Sequence, residues 1–252
     1  MVVLSAPMFG DKHLIGVLFV VILFILFGSI LKILKYSNKR RIIFVFMIIF
    51  YVLEIAKMSY LMYPDGSYPI YQLPFHLCSL PLYLYPIMYF FDKSKFVENY
   101  IKPTAYSLVL IAGVVALALP TNILGNAISW FPLKDNILPI ISFIYHGFMI
   151  FSSVYLLKSK YYKFNIHDYP KTMAIAISFA VIAMIANKLL DKDFMLLNRG
   201  SGSPLMFIIE TSRPLYIIAM IGGFSILTGT VFLVTELLIN RLKVKAVFSK
   251  SM

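Results

Sequence analysis

The stretch HLIGVLFVVILFILFGSILKIL, residues 13–34, decides the class of fold. It contains no acidic residue, and its first lysine or arginine is Lys32. A helix rises 1.5 Å per residue, so about 20 mostly apolar residues cross a hydrocarbon core about 30 Å thick. Residues 13–34 therefore predict a membrane-spanning helix.

The composition of the whole chain supports the same class. Of its 252 residues, 60% are hydrophobic and 13% are charged, and the mean hydropathy is +0.85. A soluble domain carries about 25% charged residues, because its surface faces water. The composition therefore excludes an ordinary soluble domain. The single cysteine excludes an internal disulfide and a cysteine-only metal site.

Seven apolar stretches are long enough to span a membrane, and the gaps between them are too short for an inserted soluble domain. We therefore predict one all-α integral membrane domain over residues 1–252, a seven-helix transmembrane bundle. The predicted spans are residues 13–34, 41–62, 74–91, 101–119, 137–157, 171–190 and 214–240.

The basic residues predict the orientation of the chain. Sixteen of the 23 Lys and Arg fall in the loops after the first, third and fifth spans and in the C-terminal tail. Positive loops stay in the cytoplasm, so we expect the N-terminus outside and the C-terminus inside a multi-pass cell-membrane protein. Because these charges are scattered with no reading module between them, we expect contact with anionic lipid headgroups and no nucleic-acid partner.

The third predicted span carries the only cysteine. Pro74 suits the first turn of a helix, which places Cys78 about 6 Å along the axis. Pro81 and Pro86 follow, and each removes a helical hydrogen bond from the carbonyl four residues earlier. We therefore expect a kink beside Cys78, with a freed carbonyl bonded by protein or water rather than by lipid.

Polar residues of other spans gather at the same, outer depth. His146 in the fifth span lies within a few ångströms of the depth of Cys78. Glu54 and Lys57 are three residues apart, so they share a helix face and can form an ion pair. Asn187 ends the sixth span, and Arg213 precedes the seventh. Ionisable groups at membrane depth usually mark a functional cavity, which predicts an outward-facing polar pocket.

A cysteine and a histidine at one depth favour nucleophilic catalysis. A thiol needs a base within hydrogen-bond reach. His76 is nearest in sequence, but residues two apart on a helix point about 200° away from one another, so His146 is the better base. The same divergence makes a metal site of His76, Cys78, His146 and Glu54 improbable, and we predict no cofactor.

Membrane phospholipids are the substrates that such a pair would meet, since their ester linkages lie near this depth. Attack by the thiolate would form an acyl-cysteine, which a lysolipid, another alcohol or water would resolve. Lys57, Arg213 or backbone N–H groups are candidates to hold the phosphate or the oxyanion.

The segment LPFHLCSLPLYL, residues 73–84, resembles the L-P-x-H-L-C signature of the YwaF-like and transmembrane protein 164 family of seven-span membrane proteins. The similarity extends to a PTN turn at 120–122, to FIYHGF at 143–148 and loosely to DFMLLNRGSGSP at 193–204. The sequence departs from the pattern where a T-P-D turn and an N-Y pair are expected.

This resemblance implies a phospholipid acyltransferase that works through an acyl-cysteine. It places the nucleophile on Cys78 and the span-five histidine on His146. The candidate substrate-binding or supporting residues around them are His76, Glu54, Lys57, Asn122, Asn187 and Arg213. A different class is left open, because a non-catalytic transporter or lipid-binding protein would use the same charged groups in an outward-facing pocket.

Overall fold

The computed structural model describes residue 7 and residues 9–33, 38–64, 66–120, 123–200, 203 and 205–248, and every regular element within them is helical. The predicted all-α class is therefore confirmed for this part of the chain. The α-helices are α1 (Asp11–Ile33), α2 (Lys39–Met62), α3 (Leu80–Phe90), α4 (Lys102–Ala118), α5 (Ile137–Lys158), α6 (Tyr169–Leu190), α7 (Met206–Ile209) and α8 (Arg213–Phe248).

Six helical segments of the described residues are long and apolar enough to cross a membrane. They are α1, α2, α4 with the π-helical turn Val97–Ile101 before it, α5, α6 and α8. Six of the seven predicted spans therefore have the expected length and composition. The exception is the third predicted span, residues 74–91, which is shorter because only Leu77–Phe90 is helical there.

The start of this short helix differs from the prediction. A 3₁₀ turn covers Leu77–Ser79, and α3 begins at Leu80, so the predicted helix start at Pro74 is wrong. A residue before proline avoids the α region, and Leu73 is accordingly extended with ψ 144°. His76 is also extended, with φ −88° and ψ 156°. Pro81, rather than Pro74, occupies the first helical turn.

Hydrogen bonds between helix ends define two opposite ends of the bundle. At one end, which we call the Asp11 end, the indole nitrogen of Trp130 donates to the carbonyl of Lys12 at 2.7 Å. The Tyr60 hydroxyl donates to the carbonyl of Lys134 at 3.4 Å. These contacts bring the start of α1, the end of α2 and the segment before α5 together.

The opposite end, which we call the Lys39 end, contains the end of α3. Arg40, in the first turn of α2, donates to the carbonyl of Tyr89 at 3.2 Å. The Tyr161 hydroxyl, just after α5, donates to the carbonyl of Met88 at 3.3 Å. Since α2 ends at the Asp11 end, the chain between Met62 and Phe90 passes from one end of the bundle to the other.

The central helix of the bundle is α4, whose side chains are mostly buried, whereas those of α1 and α8 are mostly exposed. It packs against α5 so closely that a β-carbon on Gly113 would lie 2.7 Å from the carbonyl oxygen of His146. A glycine is therefore required there. This contact fixes the height of the His146 turn relative to α4.

Candidate active site

Cys78 lies in the 3₁₀ turn directly before α3 and is half-buried. A 3₁₀ turn would bond its carbonyl to the N–H three residues later, but Pro81 has no N–H. The hydroxyl of Tyr145 on α5 donates to this carbonyl instead, at 3.1 Å. The cysteine turn is therefore tied to the turn of α5 that carries His146.

A second tyrosine donates a hydrogen bond to a carbonyl that a proline leaves without its helical donor. Pro86 lies inside α3 and removes the bond to the carbonyl of Leu82, four residues earlier. The hydroxyl of Tyr51 on α2 donates to this carbonyl at 2.8 Å. The prediction that a carbonyl freed by proline takes a partner from the protein is confirmed at this position.

His146 is buried on α5, and its Nδ1 lies 2.8 Å from the carbonyl oxygen of Ser142 one turn earlier. Because a carbonyl only accepts, Nδ1 carries the hydrogen and the Nε2 lone pair is available to take a proton. A carbonyl thus orients the imidazole, as a catalytic base requires. The hydrogen bonds of the described residues do not include one between Cys78 Sγ and His146.

Glu54 and Lys57 form the ion pair that their spacing predicts. The Lys57 ammonium lies 2.9 Å from the Glu54 carboxylate, and the two side chains are only 23% and 17% exposed. The predicted ion pair therefore lies in the last turns of α2, the helix that ends at the Asp11 end.

His76 lies outside the helix and forms hydrogen bonds with two other segments of the chain. It precedes the helix, so the argument from 200° of helical rotation does not apply to it. Its Nε2 bonds the carbonyl of Tyr71 at 3.2 Å, and its Nδ1 accepts from the N–H of Met195 at 3.4 Å. Because Nδ1 accepts a hydrogen bond, the ring carries its hydrogen on Nε2 and is neutral. A neutral His76 thus links the cysteine segment to the loop after α6.

Two of the three remaining predicted residues, Asn187 and Arg213, hold that loop. Asn187 is buried, and its amide bonds both the N–H and the carbonyl of Phe194, at 2.6 and 3.0 Å. Arg213 donates to the side chain of Asn198 at 3.0 Å and contributes to the same loop. The phenyl ring of Phe194 packs against the ring of His76. Asn122 lies outside the described residues.

Tyr145 and Tyr51 are the site residues that the sequence analysis missed. Tyrosine is usual near membrane interfaces, so composition gave no reason to single them out. The signal was available in the prolines, since Pro81 and Pro86 each imply a carbonyl in need of a donor. A tyrosine on a facing span is a donor of sufficient length.

The fold and the site define a class: an all-α membrane protein with a cysteine turn, a buried histidine and an ion pair towards one end. The model of the TMEM164 family matches residues 8–235. The chain belongs to the TMEM164 family. No curated protein and no solved structure matches it.

Proposed function

We propose that the protein is a membrane-embedded lipid acyltransferase or acyl hydrolase that forms an acyl-cysteine on Cys78 with His146 as general base. The observation that carries the proposal is the bond from Tyr145 to the Cys78 carbonyl, since it ties the thiol to the α5 turn of His146. The family match over residues 8–235 supports it.

The proposed reaction has two transfers. The imidazole takes the thiol proton at Nε2, and the sulfur attacks the ester carbonyl carbon of a phospholipid. When the carbon–oxygen bond breaks, the lysolipid oxygen leaves with that proton and the acyl group remains on sulfur. A second lysolipid, another alcohol or water then attacks the thioester carbonyl and gives its proton to His146; the carbon–sulfur bond breaks, and the Cys78 thiolate takes that proton back.

One feature of the site supports the charge changes in this reaction. Lys57 places an ammonium group in the outer part of α2, where it would stabilise a developing thiolate or oxyanion. The described residues have no hydrogen bond between the thiol and the imidazole, so the reaction requires the two groups to approach. Catalytic hydrogen bonds are often longer before substrate binds.

The proposal includes a seven-crossing topology with the Asp11 end outside the cell. The passage from Met62 to Phe90 between the two ends supports a crossing in which only Leu77–Phe90 is helical. The excess of basic residues in the segments of the Lys39 end supports a cytoplasmic position for that end.

Incubation of the purified protein with phospholipid carrying a labelled acyl chain tests the chemistry. Since Cys78 is the only cysteine, a hydroxylamine-sensitive adduct has one site. We expect no adduct on Cys78→Ala and a large loss with His146→Ala. His167→Ala is the matched control, because His167 is exposed at the Lys39 end. An unlabelled wild type with lipid turnover equal to that of Cys78→Ala would end the proposal.

The half-buried ion pair favours one alternative, a lipid-binding or transport protein without covalent chemistry. Glu54 and Lys57 are paired within a candidate spanning helix, where charges usually contact a ligand or mark its path. Cys78→Ser separates the two functions. Full lipid transfer or binding by this variant would favour the alternative.

A further inference from the structure

The segment between α4 and α5 presents large apolar side chains to its surroundings. Phe131 is 76% exposed, Ile128 is 61% exposed and Leu133 is 53% exposed. Lys134 and Asp135 are the only charged residues between positions 123 and 136. An exposed cluster of this kind marks an interaction surface.

A scaffold of buried polar groups holds this segment in place. The Lys12 ammonium is buried and donates to the carbonyls of Leu124 and Ala127, at 2.5 and 2.7 Å. The buried amide of Asn136 donates to the carbonyls of Ser129 and Pro132, at 3.0 and 3.2 Å. Because the backbone is fixed at both ends, the apolar side chains are displayed outwards.

The anchored segment lies between two candidate membrane spans. It joins the end of α4 to the start of α5, and Lys12 belongs to the first turn of α1. The next turn of α1 exposes Leu14 and Ile15. Apolar surface on a helix end therefore adjoins the apolar side chains of the segment.

We infer that residues 123–136 insert into the interface of the bilayer and that Ile128, Phe131 and Leu133 contact its acyl chains. Lipid is the partner that this position favours, since the segment is bounded by two membrane-spanning helices. Aromatic side chains prefer this depth, and Lys134 is long enough to reach the headgroups. The segment acts as a fixed anchor beside the candidate site.

Spin labels measure the depth of this segment. Single cysteines in a Cys78→Ala background, Phe131→Cys and Leu133→Cys, are labelled in lipid vesicles and exposed to oxygen and to a water-soluble nickel complex. Leu18→Cys on α1 is the lipid reference, and Lys95→Cys at the Lys39 end is the water reference, because both side chains are exposed. We expect severalfold higher oxygen-to-nickel accessibility at 131 and 133 than at 95.

The unmodified protein provides a second measurement. Trp130 is the only tryptophan, so its fluorescence reports on this segment without a substitution. We expect stronger quenching by phosphatidylcholine brominated near the headgroup than by phosphatidylcholine brominated near the chain ends. Labels at 131 and 133 that behave like Lys95→Cys would overturn the inference. Labels shielded from both reagents would instead indicate a second copy or another protein on this surface and would overturn it as well.

Discussion

The hydroxyl of Tyr145 is the only side-chain donor on the Cys78 carbonyl among the hydrogen bonds of the described residues. Removing it in Tyr145→Phe leaves that carbonyl without its donor and costs about 1 kcal/mol of stability. We also expect a faster, less selective reaction of Cys78 with maleimide and a lower yield of the acyl adduct. Thermal unfolding and single-turnover labelling measure these effects.

Tyr106→Phe is the matched control for this prediction. It removes the hydroxyl that shares a 2.6 Å hydrogen bond with Thr235 between α4 and α8, away from the Cys78 turn. A similar loss of stability without a change in thiol reactivity is expected. If both variants change the thiol equally, Tyr145 acts only on overall stability.

The Glu54–Lys57 pair is a second residue-scale test. Lys57→Gln removes the ammonium group that pairs with the Glu54 carboxylate, which has little exposure to solvent. We expect this change to lower the free energy of unfolding by about 1.5–3 kcal/mol. Replacing both residues with Gln removes both charges, so it should cost less than the single change. Thermal unfolding of the four proteins gives the coupling energy. Additive effects would mean that the pair contributes nothing specific.

At the scale of the element, α3 depends on tyrosines from other helices. Tyr51→Phe should cost about 1 kcal/mol in the natural sequence, because the Leu82 carbonyl loses its donor. In a Pro86→Ala background the alanine N–H can bond that carbonyl, so the same change should cost much less. A double-mutant cycle by thermal unfolding measures the difference. Equal costs in both backgrounds would separate Tyr51 from the proline break.

The contact between α4 and α5 allows a second element-scale prediction. Gly113→Ala places a methyl group 2.7 Å from the His146 carbonyl, which should separate the helices and cost about 1–3 kcal/mol. The matched control is Gly223→Ala on α8, where no atom lies within 4 Å of the added carbon. That change should be neutral or stabilise the helix by up to about 1 kcal/mol. Thermal shifts of the same sign in both variants would contradict this explanation.

The third apolar stretch shows what the sequence predicts well and what it does not. The prolines correctly indicated a carbonyl in need of a donor, as at Leu82. The expected kink within a helix from Pro74 is wrong, because α3 begins at Leu80 with Pro81 in its first turn. The prolines did not indicate that residues 74–76 stay outside the helix, since this depends on His76 bonding Met195 and Tyr71. Contacts with a loop more than 100 residues away leave no periodic pattern near Cys78.

The candidate site also has features that the sequence predicts and features that it does not. Equal depth on two spans was sufficient to select Cys78 and His146, because the rise of a helix converts position into depth. The side-chain direction of His146 was not predictable, since it is set by the Ser142 carbonyl. The spacing of Glu54 and Lys57 predicted their pairing correctly, because both residues lie on one unbroken helix.

At the scale of the whole molecule, the path of residues 63–90 determines the sidedness of every later segment. If this path crosses the membrane, position 126 lies on the same side as position 63, and position 95 lies on the other. If it returns without crossing, position 95 lies with position 63 and position 126 is opposite. Because the helix Leu77–Phe90 is shorter than the six candidate spans, an experiment has to distinguish the two topologies.

Single cysteines in a Cys78→Ala background test the crossing. Tyr63→Cys, Asn126→Cys and Lys95→Cys replace exposed side chains outside the helices that cross the membrane. We expect a membrane-impermeant maleimide to label positions 63 and 126 in intact cells, and position 95 only after permeabilisation. The reason is that Tyr89 lies beside Arg40, at the end opposite Met62. Labelling of positions 63 and 95 with protection of 126 would instead establish that residues 63–90 turn back.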